Sequence, residues 1–377
     1  MILLLFSFCS SSDIHYFSFN NTKTYLQHVI GHDITKLGNK LKMNDQIFFI
    51  DSHISNKNAQ KIFNMIENHY NLSLVIIGLQ TKIILNTNTD LNLKNANLTI
   101  KNITFINCDS SSFNIIDGSL NLYNTRFFGN CHFYNKALLN LINCTSTMTE
   151  VDFKNHQRPL IFSNSSILLT QYLSFDNITI ESSEHSVISL NTASFENSYA
   201  KLANSNVSHF LKLDNSNVFV SNLNSTNSIF TSNSFHSIFS NILVRFVFFK
   251  KCQGSILTSV NDSTFHISNV KVSDHLSEYP LFTVLNASLS ISDSQFLESK
   301  INSLATLNLC SSFFFTNSTI LYSMSTKTLF ELQRASLAEF SQIMIYRLIS
   351  QTDIGIIHAI NCDYVKFSQA LIEGCVS

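Results

Sequence analysis

Two carboxylates in the second half of the chain have a spacing that could support acid–base chemistry. Asp274 and Glu298 stand about 24 residues apart, which is one unit of an internal repeat in this chain. Lys251 precedes them by one unit, and Arg347 follows two units later. Stacked carboxylates raise one pKa and serve as an acid and base pair or hold Ca²⁺, while a nearby cation binds acidic sugars. These four residues are the catalytic candidates, although a solvated row of alternating charges is the simpler interpretation, which we favour.

A second set of residues offers binding chemistry rather than catalysis. Polar side chains recur at one position of the repeat in six of its units: Asn222, Asn269, Asp293, Asn317, Gln342 and Gln369. An amide both donates and accepts hydrogen bonds, so a repeated row of amides matches the repeating hydroxyl groups of a sugar chain. This row is the candidate glycan-binding surface.

Other signatures of chemistry are weak. Asn88, Thr89 and Asp90 match the N-T-D tripeptide of polygalacturonase-like glycosidases, but the partner motifs of those enzymes do not occur in any matching unit. The histidines and cysteines form no HExxH or Cys-x-x-Cys pairing, so we expect no metal and no cofactor. No serine lies in a G-x-S-x-G turn, and we expect the many serines on the surface.

Composition excludes several classes of protein. Charged residues are only 13% of the 377 residues and the net charge is -1, which argues against a nucleic-acid partner. The sequence contains no run of eighteen apolar residues, so it predicts no membrane span. The 33 phenylalanines argue against a disordered chain. Only 8 glycines are present, which argues against collagen and against glycine-rich phosphate-binding loops.

The repeat itself defines the architecture. Apolar residues recur with spacings of two, three and two, as at Leu98, Ile100, Ile103 and Phe105. The column of residues equivalent to Phe105 is Phe105, Phe128, Phe153, Phe175, Phe195, Ser225, Phe249, Val272, Phe296, Ile320, Ile345 and Ile372. Spacing of two indicates strands, the step of three indicates a bend, and a further strand precedes each unit. Three short strands per turn predict an all-β parallel β-helix of about twelve turns.

One polar column accompanies the phenylalanines. We expect an amide ladder formed by Asn107, Asn130, Asn155, Asn177, Asn197 and Asn227. Cys108 and Cys131 occupy the next position of adjacent units and are candidates for a disulfide.

The ends of the chain suggest its organisation and compartment. Residues 1–12 contain an apolar run followed by serines and are a predicted signal peptide, although no basic residue precedes the run. Residues 13–85 form a predicted N-terminal cap region with one helix over residues 58–70, and residues 86–377 form the β-helix. No comparable cap follows the last strand, so we expect either a truncated product or another subunit there. Sequons such as Asn143 and Asn286 permit N-glycosylation of an extracellular or cell-surface protein.

Short motifs carry a family resemblance. The segment NLTIKNITFIN, Asn97 to Asn107, with the preceding helix, resembles the entry turns of right-handed parallel β-helix proteins of the pectin-lyase-like superfamily. The F-x-N copies resemble the repeats of polymorphic outer-membrane-protein-like surface proteins of bacteria and parasitic protists. The Gly-Gly-Ala motif of that group and its carboxy-terminal anchor are missing. The resemblance implies a right-handed coil with an N-terminal α-helical cap, and by analogy a role in adhesion.

Two alternatives remain. A leucine-rich-repeat solenoid has a similar period, but it needs leucine at its core positions and one strand per unit. For function, we favour a non-enzymatic secreted or cell-surface protein with an adhesion, scaffold or glycan-binding role and a glycan or host cell-surface protein as partner. The alternative is a carbohydrate-active enzyme, a polysaccharide lyase or glycoside hydrolase, that uses Asp274 and Glu298.

Overall fold

The computed structural model describes residues 14–17, 45–49, 51–67, 73–85, 90–351 and 355–376. The predicted signal peptide at residues 1–12 lies outside these ranges, as do Asn88 and Thr89 of the N-T-D tripeptide. In these ranges no helix has both the length and the apolar character needed to cross a bilayer.

The chain forms a parallel β-solenoid of about twelve coils, as predicted. Each coil has three faces. In most coils, faces 1 and 2 are the two halves of one strand that bends at corner 1. In the other coils, each of these faces is a separate short strand. Corner 2 follows face 2, face 3 comes next, and corner 3 leads to the following coil. Because each coil carries strands on three faces, the leucine-rich-repeat alternative, with one strand per unit, is wrong.

The strands of faces 1 and 2 are β4 (Ser73–Ile84), β6 (Asn97–Ile106), β8 (Ser119–Phe128), β10 (Thr145–His156), β12 (Ile167–Ile180), β14 (Ser194–Asn197), β15 (Ala200–Ala203), β18 (Asn217–Val220), β19 (Leu223–Thr226), β21 (Asn241–Lys250), β23 (Thr264–Ser273), β25 (Ser288–Ser292), β26 (Gln295–Leu297), β29 (Ser312–Leu321), β32 (Leu337–Tyr346) and β35 (Tyr364–Glu373). The short strands β1 (Ile14–Phe17), β2 (Gln46–Phe49) and β3 (His53–Ile54) belong to the same sheet.

The strands of face 3 are β5 (Leu91–Lys94), β7 (Phe113–Ile116), β9 (Leu139–Ile142), β11 (Ile161–Asn164), β13 (Ile188–Asn191), β17 (Leu211–Asp214), β20 (Ile229–Ile238), β22 (Gln253–Val260), β24 (Phe282–Leu285), β28 (Ala305–Asn308), β31 (Phe330–Gln333) and β34 (Ile357–Ile360). Between corner 2 and face 3 lie β16 (Asn206–Val207), β27 (Lys300–Ile301), β30 (Met324–Ser325), β33 (Ile349–Ser350) and a 3₁₀ turn at Cys108–Ser110.

Helix α1 (Asn56–Glu67) covers the first strand of face 3. The helix begins at Asn56, before the predicted Asn58, and the Ser55 carbonyl accepts from the Asn58 and Ala59 amides at 3.0 and 2.9 Å. Ile62, Phe63 and their neighbours on one side of the helix are buried. At its end the Glu67 carboxylate accepts a hydrogen bond from the Asn92 amide of β5 at 2.6 Å. The helix therefore covers β5 and satisfies one amide of a strand edge that could otherwise pair with another chain.

Stacked phenylalanines form the core of the N-terminal coils. The rings of Phe105, Phe127, Phe153 and Phe175 lie in sequence, with centroids 5.2 to 5.3 Å apart and planes within 12° of parallel. Each is fully buried, which contributes roughly 1.5–3 kcal/mol per side chain. Residues one coil apart in the sequence are thus axial neighbours, as the repeat predicts.

Two members of the predicted column are wrong. Phe127, not Phe128, pairs with Phe105 and Phe153, and Phe128 faces outward. Leu202 pairs with Phe175, whereas Phe195 lies on face 1 opposite Leu168. The errors arise where coils differ in length, because a fixed period cannot register an inserted residue.

All three corners use left-handed backbone. The left-handed residues of corner 1 are Gln80, Asn102, Asn124, Glu150, Tyr172, Phe246, Asn269, Asp293, Asn317, Gln342 and Gln369. Those of corner 2 are Asn107, Asn155, Asn177, Asn204, Asn227, Lys251, Asp274, Glu298, Tyr322 and Arg347. Those of corner 3 are Asn95, Asp117, Asn143, Ser165, Thr192, Asn215, Phe239, Asn261, Asp262, Asn286, Leu309, Arg334 and Asn361. Asparagine predominates because it tolerates this conformation better than other side chains that carry a Cβ atom.

Small buried residues follow many corners. The Ser216 hydroxyl donates to the Asp214 carbonyl at 2.8 Å and accepts from the Ala193 amide at 3.2 Å. Ser240 makes the same pair of bonds, to the Ile238 carbonyl and from the Ser216 amide. These serines satisfy polar backbone groups at the corners inside the coil. The expectation that serines lie on the surface is therefore wrong for this set.

Candidate functional site

The four catalytic candidates lie in one row at corner 2. Lys251, Asp274, Glu298 and Arg347 all have left-handed backbone and exposed side chains. No ion pair joins these residues among those that the structure describes. The Arg347 guanidinium instead lies 5.7 Å from the centroid of the Tyr322 ring and 5.1 Å from that of Tyr346. The row therefore extends into solvent rather than converging on a cleft, and its catalytic role stays a prediction.

The predicted amide ladder exists in pieces. The Asn130 side chain donates to that of Asn107 at 2.7 Å, although Gly129 rather than Asn130 occupies the corner position. Asn177 donates to Asn155 at 2.9 Å. The repeat period missed Asn204, which accepts from Asn227 at 3.4 Å.

Asn197 does not belong to this ladder. It is buried at the end of the face 1 strand β14, and its amide donates to the Thr170 hydroxyl at 2.6 Å. Asn204 takes its place at corner 2 and donates to the Asp176 carboxylate at 3.0 Å. This hydrogen bond is the main cause that lowers the pKa of Asp176.

The predicted Cys108–Cys131 disulfide is not formed, because both cysteines are free. Cys108 is buried whereas Cys131 is exposed, with its sulfur 3.9 Å from the Asn177 side-chain nitrogen. The shift in register at Phe127 puts the two cysteines at non-equivalent positions. Burial raises the pKa of the Cys108 thiol, which favours an inert, protonated side chain.

The predicted polar row lies at corner 1. Asn269, Asp293, Asn317, Gln342 and Gln369 occupy five successive coils, and all are exposed. The Asn317 amide donates to the Asp293 carboxylate at 2.6 Å.

Asn222 occupies the same corner but is separated from the rest of the row. Phe246 lies between it and Asn269, so the row is continuous only in the C-terminal coils. The Asn222 amide is half-buried and donates to the Ser198 carbonyl at 2.8 Å.

The N-terminal part of corner 1 borders a groove. Two adjoining cavities, of about 290 Å³ and about 310 Å³, share Asn124 and Arg126. We call their combined extent the corner-1 groove. It is lined by Gln80, Lys82, Asn102, Thr104, Asn124, Arg126, Glu150, Asp152, Tyr172, Leu173, Ser174, Tyr199 and Lys201.

Charged and uncharged polar side chains follow one another along the face 2 side of the corner-1 groove. Strand register puts Lys82, Thr104, Arg126, Asp152, Ser174 and Lys201 in six consecutive coils. At a strand spacing of about 4.8 Å, this column is about 24 Å long. The Arg126 Nε lies 3.3 Å from the Asp152 carboxylate, and both side chains are about half exposed. Such an exposed pair contributes little stability, so it remains available to a ligand.

Two tyrosines form the corner 1 side of the same groove. The rings of Tyr172 and Tyr199 lie 5.6 Å apart at an angle of 40°, and Tyr172 is 51% exposed. An exposed aromatic ring offers an apolar surface, and its hydroxyl is a hydrogen-bonding group. Tyrosines beside charged groups can hold a ligand that has both apolar faces and polar edges.

The sequence did contain a signal for this groove. Glu150 and Asp152 flank a buried valine in a strand pattern, and Arg126 lies one coil earlier. The unequal coil lengths hid their alignment, since a step of about 24 residues from Arg126 does not arrive at Asp152. The part of the chain that the structure describes contains no group of three or more His, Cys, Asp and Glu side chains placed to hold a metal ion.

Comparisons with known proteins give no family for the chain. No family model matches the sequence. No curated protein matches it either. Similar solved structures include the catalytic domain of a GH87 α-1,3-glucanase in complex with nigerose, with 12% identity, 93% of this chain and 69% of that chain covered, and a TM-score of 0.38.

Two further structures are similar over most of their length. An alginate lyase in complex with G6 is 9% identical, with 85% of this chain and 83% of that chain covered and a TM-score of 0.38. A polygalacturonase from Erwinia carotovora is 10% identical, with 96% and 99% covered and a TM-score of 0.29. Likeness at this level carries no argument about the activity of this chain, and the function must be argued from its own residues.

Proposed function

We propose that this protein binds glycan chains along corner 1, at the cell surface or outside the cell, in a non-enzymatic adhesion or scaffold role. The observation that supports the proposal is the corner-1 groove. It combines the exposed Tyr172 and the half-buried Tyr199 with a column of polar and charged side chains in register.

The shape of the groove suits an extended sugar chain. A sugar ring has apolar C–H faces and a rim of hydroxyls, so it packs on a tyrosine ring while its hydroxyls bond to charged and amide groups. Thr104, Arg126 and Asp152 present such groups at the repeat of the coils, about 4.8 Å. A polymer along the solenoid axis would therefore meet a polar or charged side chain at each step.

The predicted polar row would continue the same surface. Asn269 to Gln369 lie at corner 1 of the later coils, and the groove lies at corner 1 of the earlier ones. A chain held in the groove could extend toward the row, where amides such as those of Asn317 and Gln342 would bind hydroxyl groups. Binding at several weak sites along one corner would provide affinity by multivalency.

A carbohydrate-active enzyme is the second candidate, and it now rests on different residues. Glu150 and Asp152 line one groove beside Arg126 and Lys201, and glycoside cleavage requires a pair of carboxyl groups. Polysaccharide cleavage that is abolished by both Glu150→Gln and Asp152→Asn would establish this alternative. Unchanged polymer length after prolonged incubation would contradict it.

The proposal is tested by glycan binding. We expect purified protein to bind polysaccharides on an array, and Tyr172→Ala to weaken binding at least tenfold because the aromatic surface is lost. Tyr279→Ala is the matched control, since Tyr279 is also exposed, at 63%, but does not line the groove. Absence of binding to every polysaccharide, or equal loss in both variants, would contradict the proposal.

A further inference from the structure

Two loops rise beside face 3 and enclose a separate cavity. Residues 129–137 precede β9, and residues 181–186 precede β13. The strand β11 pairs with β9 on one side and with β13 on the other, so the loops stand on either side of its coil. The cavity between them, here the face-3 pocket, has a volume of about 350 Å³.

A buried arginine fixes the first loop. Arg158 is only 1% exposed and donates to the Lys136 carbonyl at 3.0 Å. It also donates to the carbonyls of Cys108, Asp109 and Ser111 at 2.6 to 2.9 Å. Burial lowers its pKa to about 10, so the side chain is still charged at neutral pH. Burial of a charge is costly, and the hydrogen bonds offset that cost. The bond to the Lys136 carbonyl also holds the loop in one geometry.

Three side chains of the following coil fix the second loop. The Ser208 hydroxyl donates to the Ser182 carbonyl at 2.8 Å, and the Lys212 ammonium donates to the Glu184 carbonyl at 3.2 Å. Nε2 of the buried His209 lies 3.2 Å from the Ser183 carbonyl. Both walls of the pocket are therefore held by polar side chains of the solenoid, which makes them rigid in the way that a preformed binding site requires.

The floor and walls of the pocket differ in chemistry. Asn140, Phe162 and Ser189 occupy one outward column of three consecutive coils and form the floor. The walls carry the charged side chains of Lys136 and Glu184. The floor thus offers the Phe162 ring between an amide and a hydroxyl, and the walls offer one positive and one negative charge. This combination matches a ligand with an uncharged ring that carries hydroxyl groups.

The loops also limit the length of a ligand. The two coils that bear the loops are separated by two strand spacings, about 9.6 Å, so the ligand cannot extend along the axis in either direction. In the part of the chain that the structure describes, the corner-1 groove has no such loop at its C-terminal end, where the corner 1 residues of the later coils, such as Asn269, are exposed.

We propose that the face-3 pocket binds a single sugar ring or a chain end, as a second site distinct from the corner-1 groove. The proposal takes its ligand class from the proposed function, but it depends on separate residues. Phe162 supplies the apolar surface, Asn140 and Ser189 bind hydroxyl groups, and the loop charges bind the rim of the ring.

The test measures free sugars by saturation-transfer NMR on the full chain. The probes are methyl glucoside and methyl N-acetylglucosaminide, which are both uncharged rings that carry hydroxyl groups. We expect at least one probe to bind, and Phe162→Ala to weaken that binding at least tenfold. Ser189→Trp, which fills the pocket from its floor, should abolish binding while the melting temperature stays unchanged. Phe248→Ala is the matched control, because Phe248 is a half-buried, outward-facing phenylalanine on face 2.

The outcomes separate the two proposals. Binding of no probe, or equal weakening in Phe162→Ala and Phe248→Ala, would overturn the second site. Loss of polysaccharide binding in Tyr172→Ala with unchanged binding of the free sugar would support both sites. Free-sugar binding that depends on Phe162, without any polysaccharide binding, would support the face-3 pocket and remove the corner-1 proposal.

Discussion

The N-terminal and C-terminal coils share one architecture but present different surfaces. From Asn102 to Tyr199 the corner 1 residues follow one another at unequal intervals, because loops are inserted at residues 129–137 and 181–186. From Phe246 to Gln342 the intervals are nearly equal. The irregular coils carry the corner-1 groove and the face-3 pocket, whereas the regular coils carry exposed rows of side chains. The two inserted loops thus form the walls of the face-3 pocket.

Corner 2 shows the same contrast. In the early coils corner 2 is occupied mainly by asparagines that bond to one another, such as Asn155 and Asn177. In the later coils the same left-handed position holds Lys251, Asp274 and Glu298, which make no such ladder. The left-handed conformation is imposed by the stack in both regions, and at corner 2 only the early coils meet it with asparagine.

The largest expected difference concerns the buried arginine. We expect Arg158→Met to lower the free energy of unfolding by at least about 3 kcal/mol, because several buried carbonyls lose their donor. Arg347→Met should change it by less than about 0.5 kcal/mol, since Arg347 is exposed. Urea titrations of the two variants measure both values. Equal effects would show that the irregular coils do not depend on this anchor.

A smaller effect is expected for two buried histidines, one in each region. His156 and His275 both follow corner 2, and burial lowers the pKa of each to about 4. In the unfolded chain the value is about 6.5. Between these values only the unfolded chain binds the proton, so each histidine lowers the unfolding free energy by about 1.4 kcal/mol per pH unit as pH falls. Above pH 6.5 both histidines are neutral in the folded and the unfolded chain, so they cause no loss of stability there.

Unfolding free energies measured between pH 4.5 and pH 6.5 test this expectation. We expect His156→Gln and His275→Gln each to reduce the slope by the same amount, because the two coils bury their histidines alike. His266→Asn, at an exposed histidine of face 1, should leave the slope unchanged. If only one of the two substitutions changed the dependence of the unfolding free energy on pH, the cores of the two regions would not be equivalent.

The smallest expected effect concerns the corners. Glu298→Asn should raise the free energy of unfolding by up to about 1 kcal/mol, because asparagine tolerates left-handed backbone better than glutamate. Asn155→Ala should lower it by about 1–2 kcal/mol, through the same backbone preference and the lost bond to Asn177. Thermal unfolding at neutral pH measures both. Stabilisation of the alanine variant would contradict the account of corner 2.

Much of the fold could be predicted from local patterns. The alternation of apolar residues in strands such as β6 and β29 indicated the faces, and asparagines after the strands indicated the corners. The helix near Asn56 was also predicted, although its start was two residues late. These signals are local because strand alternation, helical periodicity and left-handed preference depend on neighbours in the sequence.

The candidate site was predicted less well. The predicted row at corner 1 has the right position from Asn269 onward, but the groove at Tyr172 was missed and Asn197 was assigned to the wrong corner. Both errors lie beside the inserted loops. A periodic pattern counts residues along the chain, whereas the stack aligns backbone hydrogen bonds across coils. An insertion changes the residue count between two coils but leaves the strand register between them unchanged.

The sequence by itself determined that the chain coils, because its apolar residues alternate within short segments and its asparagines favour tight corners. Only the tertiary structure decided which side chains share a surface. Arg126 and Asp152, or Phe162 and Ser189, become neighbours through strand register between coils. That register is set by the collective pairing of backbone groups along the axis, which no local segment encodes.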